Sequence, residues 1–223
     1  SVLHFEGDRS HHFRILRGIK NRFGATDEIG VFEMTSNGLK QISNPSELFL
    51  TERKNEVAGT AVFAAIEGSR PLLVEIEALV AHSTLASPRR NVVGWENSRL
   101  SMLTAVLEAR CGMHLSGRDI FLNVAGGLKI QEPAADLAVA AALISSVTNR
   151  PLPNGSVFFG EIALSAQIRQ VSQPEQRLKE AEKLGFKKAF LPKPIKINDS
   201  KPGLVLSYSE NLSDFIDILD GIS

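Results

Sequence analysis

Residues 133–147 place Pro133 ahead of an alanine-rich stretch that reads as one helix. Proline suits a first helical turn, because the N–H it lacks would find no partner there anyway. Side chains as short as alanine require whatever covers the helix to approach closely, so this segment must be closely packed. Two further helices follow from apolar spacing. Residues 98–110 put Leu100, Leu103, Val106 and Leu107 on one face, and residues 174–184 run from Pro174 to a stop at Gly185. Strand-like runs lie between and around them: 59–67 and 71–79 joined by the Gly68-Ser69-Arg70 turn, then 120–124, 156–159, 189–191 and 203–206. An amphipathic helix over 211–219 closes the series. Strands and helices interleave, which predicts an α/β (α+β) fold on a mixed sheet.

Residues 1–45 have a different character. Residues 2–5 read as a strand followed by a Glu6-Gly7-Asp8 turn, and a strand so near the start suggests a piece cut from a longer chain. Residues 13–20 carry apolar side chains on both faces and fit strand or helix. Strand is preferred, because 21–27 is turn-like and 29–34 reads as a second strand. The pair forms a hairpin with Lys20 and Arg22 at its tip. Asn37-Gly38 marks a turn, and residues 43–47 start a short helix with Pro45 near its first turn. The charged run 51–56 precedes the change, placing the boundary between about residues 44 and 56. The chain is divided accordingly into 1–45 and 46–223.

Charge and cysteine content narrow the function classes. Lysine plus arginine and aspartate plus glutamate both number 25, so formal net charge is zero. Any nucleic-acid contact must therefore come from local patches. Cys111 is the single cysteine, which excludes an internal disulfide framework and a multi-cysteine metal site, and no metal site is expected here. A cytoplasmic location fits. Residues 1–13 are polar and histidine-containing rather than a signal peptide, and no run approaches the roughly 20 apolar residues of a membrane span.

The hairpin tip reads Lys20-Asn21-Arg22-Phe23-Gly24. An ammonium and a guanidinium one residue apart can meet phosphate oxygens at nearly one point, with complementary geometry. An ordinary solvated basic hairpin is the alternative. This segment, between Phe5-Glu6-Gly7-Asp8 and Val31-Phe32-Glu33-Met34, resembles the signature of the RadA/Sms family. The likeness continues in order through Asn44-Pro45-Ser46, Ser87-Pro88-Arg89-Arg90, 123–127, Glu132-Pro133-Ala134-Ala135-Asp136 and 160–179, covering almost the whole chain.

That resemblance implies the end of a RecA-like ATPase core followed by a Lon-protease-like domain, with the fold of ribosomal protein S5 domain 2. It implies that Lys20 and Arg22 act on ATP held by a neighbouring subunit, stabilising charge during phosphoryl transfer, or contact DNA, or do both. It implies a homo-hexamer around DNA, single-stranded and branched DNA as partners, a RecA recombinase as a further partner, and no membrane. ATP, magnesium and zinc are implied for the full-length protein. No Gly-x-x-x-x-Gly-Lys-Ser/Thr loop and no four-cysteine zinc site occur in this sequence, so the piece alone is expected to hold no cofactor and to be inactive as an ATPase.

Lon-type peptidases pair a serine nucleophile with a lysine base. By resemblance Ala134 stands at the serine position and Glu175 at the lysine position, so proteolysis is not expected. The domain then serves ring assembly and DNA guidance, with Arg89 and Arg90 as a DNA-facing pair or a solvated loop pair. Arg118, Arg169, Lys187 and Lys188 are weaker candidates. The expected function of the whole is DNA-dependent ATP hydrolysis driving branch migration in recombination and repair. The competing readings are a peptidase with a displaced dyad, using Ser165 or Ser172 with Lys179, and a pure oligomerisation module. His11-His12, Trp95, Tyr208 and Cys111 carry no constellation and read as surface or packing residues.

Overall fold

The computed structural model describes residues 1–6, 13–22, 29–42, 44–50, 57–193 and 203–221. In the first part, β1 (Val2–Glu6), β2 (Phe13–Lys20), β3 (Ile29–Thr35) and β4 (Gly38–Gln41) form an antiparallel sheet in chain order. The strand preference for 13–20 holds: Phe13 and Ile15 are buried, and Ile15 pairs with buried Val31. Strand alternation puts these three on one face. The Asn37-Gly38 turn leads into β4, which hydropathy does not reveal because all four of its residues are exposed. The turn closes with the Thr35 hydroxyl donating to the Gly38 carbonyl at 2.8 Å, and Gly38 takes φ 107°, a left-handed value that glycine accepts without strain.

The short helix α1 (Ser46–Phe49) follows Pro45 and is pinned to the larger sheet. The Leu73 N–H donates to the Ser46 hydroxyl oxygen at 3.0 Å, and Phe49 is fully buried. Burying a side chain of this size contributes roughly 1.5–3 kcal/mol. The Phe13 ring meets Phe49 edge-on with centroids 5.0 Å apart, and Arg17 forms an ion pair with Glu67. The first sheet is thereby braced against the rest of the molecule.

The larger sheet is built from β5 (Thr60–Glu67), β6 (Arg70–His82), β7 (Arg90–Val93), β8 (Arg118–Val124), β9 (Ser156–Phe158), β12 (Lys188–Pro192) and β13 (Val205–Ser209). Its order is β13-β12-β9-β5-β6-β8-β7. The pairs β5–β6 and β6–β8 are antiparallel; β5–β9, β9–β12, β12–β13 and β7–β8 are parallel, so the mixed α/β sheet is as expected. Three differences from the sequence reading stand out. Arg90 begins a strand instead of lying in a loop, because residues 90–93 pair with β8. A two-residue ladder joins β10 (Glu161–Ile162) to β11 (Ile168–Arg169). The strand expected at 203–206 lies at 205–209, in parallel register with β12.

The helices are α2 (Asn97–Cys111), α3 (Asp136–Thr148), α4 (Pro174–Lys183) and α5 (Leu212–Gly221). Residues 133–135 form a 3-10 turn that leads into α3. The whole first three turns of α3, including Ala138, Ala140, Ala141 and Ala142, are buried. The helix packs across β5 and β6 and ties them by hydrogen bonds: the Gly59 N–H donates to Ser145 Oγ at 2.9 Å and the Val80 N–H to Ser146 Oγ at 2.9 Å. Small side chains let the helix approach closely enough for these bonds. Gly185, with φ 82°, ends α4 where the sequence places the stop. Among the described residues no helix is long and apolar enough to cross a membrane.

Candidate functional site

Lys20 ends β2 opposite Val2, and Lys20, Asn21 and Arg22 are all exposed. The Ser1 hydroxyl donates to Asn21 Oδ1 at 3.0 Å. Phe23 and Gly24 lie outside the described residues. The two cations therefore stand at the far end of a strand in which Phe13 and Ile15 are buried, Phe13 against the Phe49 ring.

Arg89 and Arg90 are engaged within the fold. The Arg89 main-chain N–H donates to Asp119 Oδ1 at 2.7 Å, and its Nε and Nη2 donate to Asp119 Oδ2 at 3.1 and 2.9 Å. Its guanidinium carbon also lies 5.8 Å from the Phe121 ring centroid. Arg90 donates to the main-chain carbonyls of Arg118, Leu115 and Arg89. The Arg89 side chain is still 62% exposed, so its outer face can meet an anion while its inner face holds Asp119.

Asp119 makes this clamp pH-dependent. The Arg89 main-chain N–H, then the Ser83 hydroxyl and the Arg89 guanidinium hold its carboxyl below the usual carboxylate range, against the upward push of burial. A folded-state value below the unfolded one means stability that is present above the unfolded pKa and is lost as pH falls through the folded pKa. The melting temperature of wild type should exceed that of Asp119→Asn at neutral pH, and the gap should shrink as pH drops below about 4. A gap that does not vary with pH would remove the clamp.

The two positions that the Lon resemblance assigns to a dyad sit in unlike surroundings. Ala134 is buried in the 3-10 turn, its carbonyl accepting from the Gly160 N–H at 2.8 Å. Glu175 is exposed in the first turn of α4. Ser165, Ser172 and Lys179 are exposed, and among the described residues no hydrogen bond joins either serine hydroxyl to Lys179.

A buried ion pair that sequence reasoning missed occupies this region. Arg177 is fully buried and donates from Nη2 to Glu132 Oε2 at 2.6 Å and from Nη1 to Glu132 Oε1 at 3.3 Å. It also donates to the Ala64 carbonyl at 2.6 Å and the Ser172 carbonyl at 3.0 Å, and lies over the Phe63 and Phe159 rings. Glu132 accepts in turn from the Ile66 N–H at 2.8 Å. Ala64 and Ile66 lie beyond Phe63, where the pairing of β5 with β9 ends. The ion pair thus satisfies the strand edge that β9 leaves open. A second pair flanks it: Arg99 donates twice to Asp136 at 2.5 Å, and Asp136 accepts from the Ile162 N–H at 2.9 Å. The one signal in the sequence was an arginine in helical step with the apolar face of α4, at Arg177 beside Leu178 and Ala181.

Residues 83–194 match the protein family described as subunit ChlI of Mg-chelatase. The chain is also similar to proteins called DNA repair protein RadA. It is 62% identical over 191 residues to the one from Brucella abortus, an alignment covering 86% of this chain and 41% of that protein. With the Rickettsia bellii protein it shares 56% identity over 217 residues, covering 97% of this chain and 45% of that protein. Identity to the Synechocystis relative is 54% over 193 residues, 86% of this chain and 38% of the relative. The chain thus spans less than half the length of these relatives.

Proposed function

Because the chain belongs to the family of DNA repair protein RadA, we propose that it acts in DNA repair as the C-terminal part of a DNA-dependent ATPase that drives branch migration of recombination intermediates. In this reading residues 1–45 end the motor core and residues 46–223 form a Lon-like scaffold without peptidase activity. The observation that carries it is the placement of Lys20 and Arg22. Both are exposed at one end of β2, while the other end is held by the Phe13–Phe49 contact and the middle by the Arg17–Glu67 pair. A braced strand bearing two outward cations suits delivery of charge to a phosphate on a neighbouring molecule.

ATP and magnesium would be bound by a segment of the longer protein, since no phosphate-binding loop occurs in this sequence. Zinc, a homo-hexameric ring in the cytoplasm, single-stranded and branched DNA, and a RecA recombinase complete the proposal. The scaffold role draws on the buried alanine and the exposed glutamate where a serine and a lysine would be needed.

DNA binding by the full-length protein, titrated against salt, tests the DNA part of this reading. Each phosphate contact contributes roughly one unit to the slope of log affinity against log salt. Arg89→Gln should lower that slope by about one if its exposed face meets DNA. Light scattering with and without DNA should return a hexamer, and a strict monomer in both conditions would end the ring proposal.

A further inference from the structure

Between the first sheet and the larger domain lies a cleft of about 780 Å³, walled by Phe13, Ile15 and Arg17 on one side and by Ala65 to Glu67 and Gly126 to Glu132 on the other. Residues 128–132 alternate like a strand: Leu128 and Ile130 are buried, Lys129 and Gln131 exposed. The Ile130 N–H donates to the Gly94 carbonyl at 2.9 Å. Gly94, with φ 81°, allows that approach, because a Cβ there would sit 2.5 Å from the Leu128 carbonyl oxygen. In extended chain, successive residues direct their main-chain polar groups to opposite edges. If Ile130 faces Gly94, then Lys129 and Gln131 direct theirs the other way. Among the described residues, the main chains of Lys129 and Gln131 make no hydrogen bond, and both residues line the cleft.

We propose that this cleft is a binding slot for an extended polypeptide segment of another protein, which adds as a strand along residues 129–131. Unpaired main-chain groups two residues apart are met in register by the main chain of a strand and poorly by other ligands. The walls supply apolar contact from Phe13, Ile15 and Ile66. Phosphate-bearing ligands fit less well, since Arg17 is paired with Glu67 and Arg177 with Glu132. Lys129 is left without an ion pair among the described residues, which favours a segment with apolar side chains on one face and acidic ones on the other. The neighbouring β5 edge, at Ala64 and Ile66, is closed to such a segment by the Glu132–Arg177 pair. Neither Lys20 nor Arg22 is among the described residues that line the cleft.

Fluorescence polarisation tests this with the full-length protein and a fluorescein-labelled heptapeptide in which valine alternates with glutamate. Saturable binding is expected, about tenfold weaker for Gln131→Pro, since roughly one main-chain hydrogen bond is lost. Proline leaves the protein's own bonds intact because the Gln131 N–H makes none. Lys129→Glu should weaken this peptide and strengthen a valine–lysine counterpart. The Lys129 and Gln131 amides should gain hydrogen-exchange protection when peptide is bound. Absence of saturable binding up to about 1 mM peptide, or equal binding of a version N-methylated at alternate residues, would overturn the slot. So would unchanged affinity in Gln131→Pro. If Gln131→Pro instead changes the oligomeric state without peptide, the occupant is a second copy and the proposal fails.

Discussion

Glu132→Ala should lower the folding free energy by about 3–5 kcal/mol, the range for stranding one partner of a buried ion pair. The partner left behind is Arg177, which is 0% exposed and cannot swing out to water. Its bonds to the Ala64 and Ser172 carbonyls and its position over two aromatic rings relieve part of the lost interaction, which favours the lower end of the range. The Ile66 N–H loses its acceptor at the same time. Glu132→Gln keeps a carbonyl oxygen for that N–H and for the guanidinium, so its loss should be smaller. Asp220→Ala serves as the contrast. Its ion pair with Arg150 is exposed on both sides, 59% and 58%, and such pairs contribute about 0–1 kcal/mol. Urea unfolding measures all three, and equal midpoints for Glu132→Ala and wild type would show that the pair holds nothing together.

The second large effect concerns turnover. On the proposed role in ATP hydrolysis, Arg22→Ala in the full-length protein should cut kcat for ATP by about a thousandfold or more, the range seen when an arginine that stabilises phosphoryl-transfer charge is removed. Lys20→Ala should act in the same direction. A group that acts chiefly in the transition state affects kcat far more than KM. Both residues are exposed, so the unfolding free energy should stay within about 0.5 kcal/mol of wild type. Wild-type turnover in both variants would sink the ATP role. If turnover persists while the salt slope of DNA binding falls, these cations serve DNA instead.

Periodicity exposed those parts of the fold whose burial is one-sided or complete over many residues. The β5–β6 hairpin, α2, α4 and the alanine-rich α3 all belong to this class, and Gly185 marks its helix end as read. The missed elements are short or depend on partners distant in sequence. β4 is exposed throughout, and the β10–β11 ladder has two residues per strand. β7 owes its position to β8 and to Asp119, thirty residues beyond Arg89. The Glu132–Arg177 pair joins residues 45 apart. Its members are individually unremarkable, and only the tertiary fold brings them together. The basic hairpin was legible as a pattern, while the lining of the cleft was not, since its walls come from separate parts of the chain.

The setting of the buried Ala134 and the exposed Glu175 bears on what chemistry could be installed on this scaffold. A serine placed at 134 and a lysine placed at 175 would not together make a hydrolytic pair. An amine on the solvated face of α4 keeps its proton at neutral pH, and only a desolvated one becomes a useful base. The inward face of that helix is already committed to a guanidinium whose removal costs the fold itself. Two point changes therefore do not suffice; a base introduced on the inner side of α4 would have to displace the side chain on which the fold rests.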